Sequence, residues 1–97
     1  MIYWLHPGAE QDIREAAEFY REQAGMALSQ AFLSEFEHAV DLLLQYPAAG
    51  AMWRSGSRRF VTRRFPFSLV YTVVGDQIRI LAVAHHNRRP RYWQGRS

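Results

Sequence analysis

Phe67-Ser68-Leu69-Val70-Tyr71-Thr72-Val73-Val74-Gly75-Asp76-Gln77-Ile78-Arg79-Ile80-Leu81-Ala82-Val83-Ala84 is the stretch from which the fold can be read. Two runs of β-branched and aromatic residues flank Gly75-Asp76, which has the length and composition of a tight turn. The pattern predicts an antiparallel hairpin over 67–74 and 77–84. Upstream, Arg58 to Phe65 is a further strand-length run, set off by Pro66. Before it, Ala48 to Ser57 carries the glycine and serine of a loop.

The first half has the other periodicity. Ile2-Tyr3-Trp4-Leu5 reads as a short strand, stopped by His6-Pro7-Gly8 at the start of a helix. Ala9, Ile13, Ala16, Ala17 and Tyr20 then recur at helical spacing, with Glu10, Asp12, Glu15 and Glu18 near the end that the helix dipole favours for acids. Gly25 suits a helix stop. Leu28, Phe32, Phe36, Ala39, Val40 and Leu43 mark a second amphipathic helix ending at Tyr46-Pro47. Helices joined so closely must run antiparallel. The expectation is one α+β domain over 1–97: an N-terminal strand and a helical hairpin packed on one face of a curved, mostly antiparallel sheet. Its buried set should include Ile13, Ala17, Tyr20, Phe32, Phe36, Val40 and Leu43, with alternate strand residues.

Charge is segregated along the chain. Residues 1–50 hold eight acids against Arg14 and Arg21, whereas residues 51–97 hold ten arginines against Asp76 alone. All 12 basic residues are arginine, whose planar fork grips phosphate or carboxylate in a bidentate way. Cysteine is absent. That excludes disulfides and thiolate metal sites, and it favours a cytoplasmic setting. No stretch approaches the ~20 apolar residues of a membrane span, so no membrane partner is expected. His6 and His38 stand alone, so no metal is expected either. No phosphate loop or nucleophile elbow calls for a cofactor. Glu10, Glu15, Glu18 and Glu22 read as a solvated face paired with Arg14 and Arg21 at helical spacing.

Arg63-Arg64-Phe65-Pro66-Phe67-Ser68-Leu69-Val70-Tyr71, the Gly75 to His85 segment and Arg89-Pro90-Arg91-Tyr92-Trp93 together resemble the second half of RelE/ParE family toxins. The Pro7, Ala9, Asp12, Ile13 opening and the Tyr46-Pro47 exit are similar to that family as well. The resemblance implies a type II toxin held in a hetero-oligomer with its antitoxin. It also implies one of two targets, DNA gyrase for ParE-like members or ribosome-bound mRNA for RelE-like ones. Ser68 stands where RelE-like sequences commonly have an arginine, which favours the ParE-like, non-enzymatic reading. A metal-independent endoribonuclease would instead draw its catalytic groups from His85, His86, Arg64 and Tyr92, which can move protons or clamp a phosphate. A basic nucleic-acid-binding module without toxicity is the remaining alternative. In any of these readings Arg58, Arg59, Arg63, Arg88, Arg89, Arg91, Tyr92 and Trp93 are the residues expected to touch antitoxin or target. The plainest competing explanation for the arginines is intramolecular pairing with the acidic first half.

Overall fold

The structure, a computed structural model, describes residues 1–85 of the 97. The chain runs β1 (Ile2–Leu5), α1 (Pro7–Ala24), α2 (Met26–Gln45), β2 (Ala51–Met52), a single 3-10 turn (Arg54–Gly56), β3 (Arg58–Val61), β4 (Phe67–Val74) and β5 (Gln77–His85). The sheet order is β1-β5-β4-β3-β2. β1 pairs parallel with β5 and the other neighbours pair antiparallel, so the helical hairpin serves as the crossover that a parallel pair requires.

Each helix end has a local cause. His6 caps α1 by accepting the Gly8 N–H on its Nδ1 at 2.9 Å, and Pro7 takes the first position, where a missing N–H costs nothing. Gly25 alone separates the helices; its φ of 92° lies where other residues are strained, and so permits the reversal. Ser29 of α2 donates to the Ala17 carbonyl of α1 at 2.8 Å, tying the hairpin together.

The core lies between the sheet and the helices. Phe32, Phe36, Val40 and Leu43 of α2 pack on Leu69 and Tyr71 of β4 and on Ile78 and Ile80 of β5. Phe32 meets Tyr20, Phe65 and Phe67 at ring-centroid distances of 5.4, 5.7 and 4.9 Å. Ile13, Ala17 and Tyr20 are packed against this core but only half-buried, because α1 lies over the sheet's edge and leaves its buried positions to Ala9 and Asp12.

Two sequence expectations are corrected. The strand expected over Arg58 to Phe65 ends at Val61. The Thr62 hydroxyl is shared between the carbonyls of Phe65 and Phe67 at 2.7 and 3.0 Å, and Glu35 Oε2 accepts the amides of Arg64 and Phe65, so those two amides are turned toward α2 and not toward a neighbouring strand. The expected loop 48–57 contains the edge strand β2 and the 3-10 turn. Its path is set by Tyr71, whose hydroxyl donates to the Pro47 carbonyl at 2.7 Å and accepts the Gly50 N–H at 2.9 Å. A Cβ on Gly50 would stand 2.8 Å from that ring and its oxygen, which the two hydrogen bonds hold in place.

Gly50→Ala should therefore destabilise the domain by about 1–3 kcal/mol through overpacking, read from urea unfolding. Burial pushes the Tyr71 phenol above its ordinary value of 10.0, more than the Gly50 N–H and the Arg58 charge draw it down. The folded state thus holds this proton more tightly than the unfolded state does. Stability present below pH ~10 should be lost as pH rises through the folded value, and Tyr71→Phe should flatten that alkaline loss in pH-dependent unfolding.

Candidate functional site

β1 pairs with four residues of β5, Gln77 to Ile80, so among the described residues β5 continues beyond Leu5 without a strand on that edge. The register of β4 and β5 also slips by one residue between Val70 and Tyr71, placing a bulge at Leu81. Into this edge reaches Asp12 of α1, only 6% exposed, whose Oδ2 accepts the Val83 N–H at 3.1 Å. The charged acceptor thus satisfies a buried backbone donor near the end of β5. α1 is thereby held against the end of β5.

Beside this contact a groove of about 260 Å³ opens between α1 and the ends of β4 and β5. Ala16, Phe19, Tyr20, Phe32, Phe67 and Val83 give it apolar walls, and Asp12, Glu15 and His85 mark its polar side. Phe19 is 53% exposed, an unusual state for a phenyl ring that forms a wall of a concave surface.

The sheet face turned away from the helices has a different character. Arg59 Nε donates to Ser68 Oγ at 3.1 Å, while its guanidinium stacks on the Trp53 ring at 4.8 Å. A cation from the neighbouring strand thus occupies the place next to Ser68. Arg79 stacks on Trp4 at 5.2 Å. Among the described residues, the two ion pairs are Arg14 with Glu10 and Arg21 with Glu18, both within α1. Pairing with the acidic first half therefore does not account for Arg54, Arg58, Arg59, Arg63, Arg64 and Arg79.

The sequence-predicted residues are distributed as follows. His85 ends β5, opposite Phe67, on the helix side and in the groove. Arg64 is exposed on the 62–66 loop, over the Phe65 ring, and does not line the groove. Arg63 is exposed on the same loop. Arg58 is held on the sheet by bonding to the Gly50 carbonyl at 2.8 Å. His86, Arg88, Arg89, Arg91, Tyr92 and Trp93 lie outside the described residues. Among the described residues there is no group of three or more metal-ligating side chains, and no helix is long and apolar enough to cross a membrane.

Asp12 is the residue that sequence reasoning placed as a helix-start acid and in the family-like helix opening, without assigning it a contact. The signal that could have found it was its position, three residues after Ala9 and four before Ala16, on the apolar stripe of α1.

The family model described as the ParE toxin of the type II toxin–antitoxin system parDE matches residues 3–90. The chain belongs to the ParE toxin family. A solved structure of the "Chromosomal ParDE TA system from P. aeruginosa" has 24% sequence identity and a TM-score of 0.75, covering 87% of this chain and 92% of that one. At that identity the likeness shows a shared ParE-like α+β fold. Among curated proteins there is no match.

Asp12→Ala leaves the Val83 N–H without this acceptor and should cost about 1–3 kcal/mol. Asp12→Asn, whose amide oxygen still accepts, should cost less; thermal unfolding of the two variants measures the difference.

Proposed function

We propose that this toxin inhibits DNA gyrase in the cytoplasm and that a cognate antitoxin neutralises it by laying an apolar segment in the groove between α1 and β5. The observation that carries the reading is the family match over nearly the whole chain. The solved relative belongs to a ParDE toxin–antitoxin system, which supports looking for an antitoxin partner here. The groove supplies the matching surface. An antitoxin segment that folds on binding needs concave apolar contact to offset its ordering, and Phe19, Tyr20 and Phe67 offer aromatic walls.

The arrangement of the described residues favours binding over RNA cleavage. Transfer at a phosphate needs base, acid and cation converged on one centre. His85 faces the helix side of the sheet, Arg64 stands over Phe65 on a loop tied to α2, and the Arg59–Ser68 contact is on the opposite face. Gyrase poisoning requires only that a folded surface be recognised, and the arginines unpaired with carboxylates suit a partner that is anionic in part.

The test is gyrase supercoiling with detection of cleaved DNA, run beside transcript cutting on programmed ribosomes. The expected result is lost supercoiling and accumulated DNA breaks with transcripts intact, reversed by the antitoxin. Transcript cutting abolished by His85→Ala, with gyrase unaffected, would overturn the reading. Phe19→Asp should weaken antitoxin affinity by ~10-fold or more, the scale of a lost interface anchor, while gyrase inhibition persists; calorimetry and the supercoiling assay read the two separately.

A further inference from the structure

Phe19 stands on the boundary between two concavities along α1. On one side it walls the apolar groove with Ala16, Tyr20, Phe67 and Val83; on the other it lines a second depression with Gln11, Arg14, Glu15, Glu18 and Glu22. Helical spacing explains the boundary. Residues three and four apart are neighbours on a helix surface, so Glu15 and Glu22 flank the ring on one side while Ala16 and Gln23 flank it on the other. The second depression is anionic: three carboxylates face one guanidinium there, and that guanidinium, Arg14, is paired with Glu10. Glu18 is paired with Arg21, whereas Glu22 is exposed and belongs to neither ion pair. Arg59 and Arg79, by contrast, stand on strands β3 and β5 and line neither concavity. The arginine excess of the whole chain suits an acidic partner, but at the groove's α1 rim the sign is reversed.

On the reading that the antitoxin occupies the groove, we propose that the segment it lays there is cationic where it crosses α1. An apolar side chain enters the groove, and a neighbouring lysine or arginine passes over Phe19 to the carboxylates of Glu18 and Glu22. A long basic side chain suits both parts of this surface. Its methylene stem packs on the Phe19 ring, while its charged head reaches the ring face or the acids beyond it. An acidic side chain at the same place would meet like charges, so the rim rejects some segments as well as attracting others. The two concavities then divide the work of recognition. Charges at a rim act chiefly on the rate of encounter and on its salt dependence, whereas an anchor in an apolar groove acts on the lifetime of the complex.

The experiment is surface plasmon resonance of the whole chain on immobilised cognate antitoxin, over a salt series. Glu22→Arg and Glu18→Arg should each weaken binding ~5-fold, mainly through slower association, and flatten the salt dependence. Phe19→Ala should weaken it ~5-fold or more through faster dissociation, with the salt dependence unchanged. Glu37→Arg makes the same charge change on α2, outside both concavities, and should leave affinity within ~2-fold. On the antitoxin, reversing the charge of one lysine or arginine beside an apolar anchor should reproduce the loss, and combining that change with Glu22→Arg should recover part of it. Circular dichroism checks each variant's fold, and Glu22→Gln and Glu18→Gln replace any that fails. If Phe19→Ala weakens binding while the two charge reversals leave it unchanged or tighten it, the groove reading stands and the cationic segment is overturned. If Phe19→Ala is also without effect, the groove reading falls with it. Equal weakening by Glu37→Arg would reduce the effect to net charge and overturn the proposal. So would a dimer of the isolated chain, seen by light scattering and dissolved by Phe19→Ala, because a second copy would then fill the groove.

Discussion

The hydrogen bond from the Val83 amide to the Asp12 carboxylate is the constraint on which the arrangement of the helices depends. β1 is four residues long and covers β5 only as far as Ile80, while β5 runs on to His85. A buried backbone donor left without a partner costs about 1–3 kcal/mol, so an edge continued past its neighbour must find acceptors elsewhere. α1 begins two residues after β1 ends, capped by His6, and its second turn carries Asp12 to that edge. Fixing α1 there also fixes α2, because one glycine joins them and Ser29 binds Ala17. The aromatic cluster around Phe32 and the groove beside Phe19 follow from that placement.

The charge segregation seen along the chain becomes a spatial one. Glu10 and Glu18 of α1 are paired within the helix by Arg14 and Arg21, and a carboxylate of α2, Glu35, accepts the backbone amides of Arg64 and Phe65. The arginines of the sheet consequently retain their charge for partners of another kind. They are ordered by stacking on Trp4 and Trp53 and by contacts with Ser68 and the Gly50 carbonyl, none of which neutralises them. Ordering a long side chain before a partner arrives removes part of the entropy that binding would otherwise cost.

Much of this was legible in the sequence where local chemistry decides. Gly75-Asp76 between two β-branched runs specified the β4–β5 hairpin, and helical spacing with Gly25 specified the helical hairpin, because turn composition and periodicity act over a few residues. The early end of β3 was not legible: it depends on Glu35, which meets residues about thirty positions later only once the chain has folded. β2 was missed for a similar reason, since two residues have no periodicity and the loop's course is set by the distant Tyr71 hydroxyl. Among the site residues, sequence could nominate arginines and histidines by type but could not assign them to faces. Register does that, placing His85 with the helices and Arg59 and Arg79 away from them.

The molecule is thus divided between an apolar groove on its helix side, proposed to take the antitoxin, and a set of indole-stacked arginines on the opposite face of the sheet. Amide hydrogen exchange of the whole chain, alone and saturated with antitoxin, tests that division most directly. The expected result is added protection in α1 around residues 13–20 and in β5 around 81–85, with β3 at 58–61 unchanged. Protection confined to β3 and its neighbours, with α1 exchanging as in the free chain, would contradict it.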